Sequence, residues 1–132
     1  MRVITFGTFD VFHIGHVNIL ERAKELGSYL IVGVSSDQLN IKKKGRPPIY
    51  SQSDRLKIVE SLHCVDKVFL EESLEKKAEY IKLYKADILV MGSDWEGKFD
   101  QFKSICDVQY FPRTEGISTS QIIDIVKHHV EV

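Results

Sequence analysis

"VITFGTFDVFHIGHVNILERAKELG", residues 3–27, is the stretch whose reading decides the fold. It opens with a short β-branched and aromatic run, Val3–Phe6, and breaks at Gly7. It then turns helically periodic, with Ile19, Leu20, Ala23 and Leu26 on one face and Gly27 where a helix C-cap often sits. A strand therefore gives way to a helix through the loop "GTFDVFHIGH", Gly7–His16. Two histidines separated by an isoleucine and a glycine, His13 and His16, stand at that junction, a combination that a hydrophobic core does not select. They do chemistry on an anion, ligate a metal, or are incidental to a helix start.

The same alternation continues outward. Tyr29–Val34, Val65–Leu70, Asp87–Gly92 and Asp107–Phe111 read as strands, the first and third of these nearly all apolar, as in strands covered on both faces. Ser51 reads as the N-cap of a helix, with Asp54 in a capping-box-like position and Ile58, Val59 and Leu62 as the buried stripe. Further helices fit Leu74–Tyr84 and Thr119–Val130. This pattern predicts one α/β domain over residues 1–132, a doubly wound, five-stranded parallel sheet ordered 3-2-1-4-5 with helices on both faces. The segment "NIKKKGRPPIY", Asn40–Tyr50, reads instead as an exposed, mobile basic loop, since its glycine and paired prolines oppose a packed helix or central strand.

Composition bounds the function. A chain of 132 residues, 43% hydrophobic, supports one compact core, and a formal net charge of −1 gives no overall attraction to nucleic acid or acidic membrane. Cys64 and Cys106 lie in separate segments without a CxxC partner, which predicts buried thiols in a reducing cytoplasm. Neither a signal-peptide layout nor a membrane-length apolar run is present, so the expectation is a cytoplasmic protein.

Ligands of open α/β sheets gather at the carboxyl ends of strands, where strand order reverses. Three unusual loops follow predicted strands: "GTFDVFHIGH", "GSDWEGKF" and "PRTEGISTS". In the first, Gly7 and Thr8 allow close approach of an anion, and Gly15 leaves room for it at a helix N-terminus, where His13 and His16 can donate hydrogen bonds. A metal reading needs further ligands, and His63, His128 and His129 are distant in sequence. In the last loop, Arg113 can fork onto phosphate oxygens ahead of Ser118 and Thr119, which open the final helix. The middle loop offers Asp94 and Trp95, and that tryptophan can line a base or simply pack.

H-x-G-H after the first strand, together with "VMGSDWEGKFD" and "RTEGISTS", resembles the cytidylyltransferase branch of the small nucleotidyltransferases, and within it the bacterial glycerol-3-phosphate cytidylyltransferases. The likeness runs nearly end to end. It implies a Rossmann-like homodimer that joins CTP to a phosphorylated alcohol, glycerol 3-phosphate foremost, releasing pyrophosphate. By that resemblance His13 and His16 steady the transition state, and Gly7, Thr8, Phe9 and Asp10 line the nucleotide's floor. Asp94 and Trp95, after Gly92, hold cytidine. Arg113, with Ser118 and Thr119, holds the β- and γ-phosphates, Thr114 and Ile117 belong with them to the nucleotide-binding set, and Lys44 closes over the reacting groups, with Lys42, Lys43 or Arg46 able to share the role. Mg²⁺ is expected to travel on the triphosphate, without a dedicated protein cage. Two features depart from the family: "HCVDKV" puts His63 where an arginine is usual, in a segment tied to the dimer contact and site, and the basic loop runs one residue longer. Both leave the acceptor open among polyol phosphates, amino-alcohol phosphates and phosphorylated amides. An adenylyltransferase and a non-catalytic nucleotide-binding module are the rival readings; the intact histidine pair opposes the second.

Overall fold

The computed structural model describes residues 1–129. Its strands are β1 (Arg2–Gly7), β2 (Tyr29–Ser35), β3 (Lys67–Glu71), β4 (Ile88–Gly92) and β5 (Asp107–Phe111). All pair in parallel, in the order β3-β2-β1-β4-β5. The helices are α1 (Ile14–Glu25), α2 (Asp37–Lys44), α3 (Gln52–Glu60), α4 (Lys77–Leu83) and α5 (Thr119–Lys127). Successive side chains of a strand point to opposite faces, and this period sorts β1 between two cores. Val3 joins Leu20 and Ala23 of α1 and Val59 of α3 on one face. Ile4 and Phe6 join Ile81 of α4 on the other. The register Gly7↔Val34, Ser35↔Glu71 and Gly92↔Phe111 aligns the strand ends into one carboxyl edge. β1 and β4, the central neighbours, flank the reversal of strand order.

The predicted strands and sheet order are found, with β3 beginning at Lys67 rather than Val65. The helix expected over Leu74–Tyr84 is a 3₁₀ turn, Leu74–Lys76, running into α4. Val130, at the expected end of the last helix, lies outside the described residues. The basic segment is a larger correction. Its first residues, Asn40–Lys44, belong to α2. Ser36 caps that helix by accepting from Leu39 N–H, the three lysines occupy the last turn, where cations complement the helix dipole, and Gly45 ends it at φ 75°. Only glycine enters that left-handed region without strain. Asn40, far from being exposed, is buried, donating to Ser36 O at 2.8 Å and Ser35 Oγ at 2.9 Å. The thiols differ too: Cys64 and Cys106 are only partly buried.

Beneath the carboxyl edge on the α4 face, the Lys77 ammonium pairs with Glu71, both side chains almost wholly buried, and lies 4.2 Å above the Phe6 ring. Burial pushes the Lys77 pKa down, against the pull of Glu71. Among the described residues, no helix is long and apolar enough to cross a membrane.

Candidate active site

The carboxyl edge opens onto a cavity of about 620 Å³. Gly7, Thr8, Phe9, His13 and His16 line it from the first loop, and Lys44 from the end of α2. Gly92, Asp94 and Trp95 line it after β4, and Arg113, Thr114, Ile117, Ser118 and Thr119 after β5. Asp10 does not line it. It borders an adjoining chamber of about 380 Å³, with Arg46, Pro47, Pro48 and Ile49. Thr8, Phe9, His16, Lys44 and Thr119 border both spaces, so the two adjoin at His16.

The histidine pair is built by the helix start itself. His13 is the N-cap of α1, its Nδ1 accepting from Gly15 N–H at 3.0 Å, while His16 Nδ1 accepts from His13 N–H at 3.2 Å. This is a capping box made of two imidazoles. An acceptor Nδ1 puts the proton of each neutral ring on Nε2, so both rings keep an Nε2–H to donate to a ligand. The rings stack at 3.8 Å, and His16 also packs against Phe9 and Phe12. Burial, then the neighbouring His13, push the His16 pKa down to about 4, with Asp10 opposing. Burial, then Arg113, lower that of His13. Both are therefore neutral hydrogen-bond donors at neutral pH. The two glycines serve this arrangement more directly than expected: a Cβ on Gly15 would come 2.8 Å from the His13 ring, and one on Gly7 2.8 Å from the Phe9 ring.

A second helix start faces the same cavity. Ser118 caps α5 by accepting from Gln121 N–H at 3.1 Å, and Thr119 Oγ1 donates to the Asp10 carbonyl at 2.9 Å. Two helix N-termini, with the positive ends of their dipoles, thus border one cavity. Arg113 forms an ion pair with Asp94 at 3.1 Å, joining two residues expected to serve different parts of a nucleotide. Asn18 Nδ2 donates to Thr114 Oγ1 at 2.9 Å and steadies that loop. Arg22, also on the cavity wall, lies 4.6 Å from the centre of the Phe111 ring. Neither Asn18 nor Arg22 was anticipated from sequence, since both are polar residues off the apolar face of α1 and look like ordinary surface.

Arg55 is the most consequential residue that sequence reading passed over. Fully buried, it donates from Nη1 to Thr8 O and Ser35 O, both at 2.8 Å, from Nε to Tyr50 O at 3.0 Å, and from Nη2 to Asp37 Oδ1 at 2.8 Å. The guanidinium binds together the first loop, the end of β2 and the starts of α2 and α3. A signal existed in its spacing: Arg55 stands four residues before Val59, on the buried stripe of α3. His63 lies in the turn that precedes β3, at the amino edge of the sheet and so at the end opposite the cavity. Within one chain it does not reach the site.

Residues 4–125 match the family model described as cytidylyltransferase-like. The chain is 49% identical to glycerol-3-phosphate cytidylyltransferase of Bacillus subtilis over 121 residues, covering 92% of this chain and 93% of that protein. It is 45% identical to the protein of the same name from Staphylococcus aureus over 121 residues, covering 92% and 91%. An FAD synthase of Pyrococcus horikoshii is 34% identical over 134 residues, covering 94% and 90%. Among solved structures, a lipopolysaccharide core biosynthesis protein from Thermoplasma volcanium superposes with a TM-score of 0.72 at 24% identity, covering 87% of this chain and 98% of that one, which shows the shared fold. The H-x-G-H helix start and the end-to-end likeness agree: the chain belongs to the cytidylyltransferase-like family.

Proposed function

We propose that this protein transfers CMP from CTP to the phosphate of sn-glycerol 3-phosphate, forming CDP-glycerol and pyrophosphate. The observation that carries the reading is the convergence of two helix starts, the His13–His16 pair, Arg113 and Lys44 on one cavity. The names of the relatives covering nearly the whole chain supply the nucleotide and the acceptor. The acceptor's phosphate oxygen attacks the α-phosphorus as the bond to the bridging oxygen of pyrophosphate breaks in line. No side-chain nucleophile is required, and the protein contributes alignment and charge neutralisation. His13 and His16 donate from Nε2 to the oxygens on which charge grows. Arg113 and the start of α5 hold the departing pyrophosphate, and Lys44, shared by both chambers, meets the acceptor phosphate.

In this reading the divalent ion is carried by the triphosphate and water rather than by a protein cage. Mg²⁺ bound in that way would neutralise charge on the phosphates. The protein acts in the cytoplasm as a homodimer in this reading, and His63 would then serve a contact between subunits. The test is a ³¹P NMR assay of purified protein with Mg²⁺, CTP and glycerol 3-phosphate, beside arms with phosphocholine, phosphoethanolamine and ribitol 5-phosphate. An ATP arm with FMN covers the adenylyl reading that the FAD synthase similarity raises. Equal turnover of CDP-glycerol and pyrophosphate supports the proposal. Pyrophosphate release only with another acceptor, or only from ATP, overturns it.

A further inference from the structure

The segment after α2 is fastened in a way that its composition conceals. Gly45 fixes one end to the helix through Gly45 N–H to Ile41 O at 2.7 Å. At the other end the Asp10 carboxylate accepts from Ile49 N–H and Tyr50 N–H, each at 2.8 Å, while its Oδ1 also accepts from Val11 N–H at 3.1 Å. Asp10 lies between two residues held at positive φ, Phe9 at 55° and Val11 at 46°. Such a conformation is costly for a β-branched valine and persists only where its surroundings impose it. The Asp10 carbonyl meanwhile accepts from Thr119 Oγ1 at the start of α5. Three elements that border the two chambers, the histidine loop, the strap of residues 45–50 and the start of α5, are thus referenced to one residue.

We propose that Asp10 is a positioning residue, whose carboxylate fastens the strap over the acceptor chamber to the loop that carries His13 and His16. This rests on the proposed function and assigns the phosphorylated acceptor to the smaller chamber, whose lining cations are Lys44 and Arg46, and the nucleotide to the larger. The carboxylate faces three backbone donors in this structure, and it borders the acceptor chamber rather than the nucleotide cavity. Its role is to place Arg46 and the Pro47–Pro48 wall at a set distance from the histidines, so that acceptor phosphate and α-phosphorus are presented in register.

Asp10→Asn tests this, because the amide keeps the volume but turns one acceptor oxygen into a donor. Whichever way it is oriented, at least one strap or loop N–H faces an NH₂ group. In the empty protein, hydrogen exchange at whichever of Ile49 and Tyr50 faces the NH₂ should accelerate by about tenfold or more, the scale of one charge-assisted hydrogen bond, with β1 and β4 unchanged. In kinetics, KM for glycerol 3-phosphate should rise by a similar factor while KM for CTP stays within about twofold. Unchanged exchange at those two amides overturns the proposal, as does faster exchange with an unchanged acceptor KM. Should the variant not fold, Thr119→Val removes the hydroxyl that holds the Asp10 carbonyl and should speed exchange at the same amides severalfold; no change there overturns it equally. The exchange measurement needs no substrate, so wild-type protein that makes no CDP-glycerol would defeat the functional reading while leaving the fastening to be decided by exchange.

Discussion

His16 shows how a single ring can be committed by its surroundings. Its Nδ1 is spent on the His13 N–H, its ring is stacked on His13 and packed against Phe9 and Phe12, and only Nε2–H remains for a ligand. In the proposed reaction a donor preorganised in this way would act on charge that develops in the transition state, and losing such a donor costs about 100- to 1,000-fold in rate. His16→Ala should therefore lower kcat by that order with a small change in KM for CTP, read from steady-state kinetics; a raised KM at constant kcat would make it a binding residue. The same burial has a second consequence. With a folded pKa near 4 against an ordinary 6.5, the unfolded chain binds a proton over that interval and the folded one does not. This contribution to stability is complete above about pH 6.5 and is lost as pH falls toward 4, with His13 acting in the same direction. Urea midpoints measured across that range should fall with acidity, and more steeply for wild type than for His16→Asn. The motif was legible because histidines at a strand-to-helix junction have few structural reasons to be there. The tautomer was not, since it depends on which backbone N–H each ring caps.

At the level of elements, α2 and the strap behave as arm and hand. The lysine run is the last turn of a capped helix, so Lys44 is delivered to the boundary of the two chambers by regular structure. Burial lowers the pKa of the neighbouring Lys43, with Glu71 opposing and Lys44 and Lys77 adding to the shift. Lys44→Ala should lower kcat by about 100-fold, the scale of removing one transition-state contact, without moving the thermal midpoint, because an exposed side chain supports no core. An equal loss in Lys43→Ala would show that the helix presents both lysines to substrate. The sequence does carry this helix: Ser36 as cap, lysines in the final turn and Gly45 just beyond are ordinary start and stop signals. They are masked by the prolines that follow, which describe the strap and not the helix before it. Arg55 was missed for the converse reason, a charge on an apolar stripe whose partners, Thr8, Ser35, Asp37 and Tyr50, come from distant segments or adjoining turns.

Across the whole molecule, sheet order and the gathering of the three loops follow from alternation and strand composition, and these were readable from sequence. What escaped were bonds that only tertiary closure creates, such as Asp10 to Ile49 and Asp94 to Arg113. The bonds that tie α5 and the loop before it to the rest of the chain govern how the protein loses its structure. Thr119 and Asp10 are 109 residues apart, Thr114 and Asn18 are 96 apart, and α5 contributes no fully buried side chain to either core. The half of the cavity wall built by the first loop thus belongs to the tightly packed sheet, and the half built by residues 113–120 to a segment with little buried apolar contact. Segments with little buried apolar contact open at lower free energy than the core. In a urea titration, CTP binding should fail at a lower concentration than the one that melts the far-UV signal of the sheet, and hydrogen exchange should show α5 opening first. Coincident transitions would mean that the final helix is part of one cooperative unit. Separate ones would make catalytic competence a property of local order at the α5 end, lost and regained while the sheet persists.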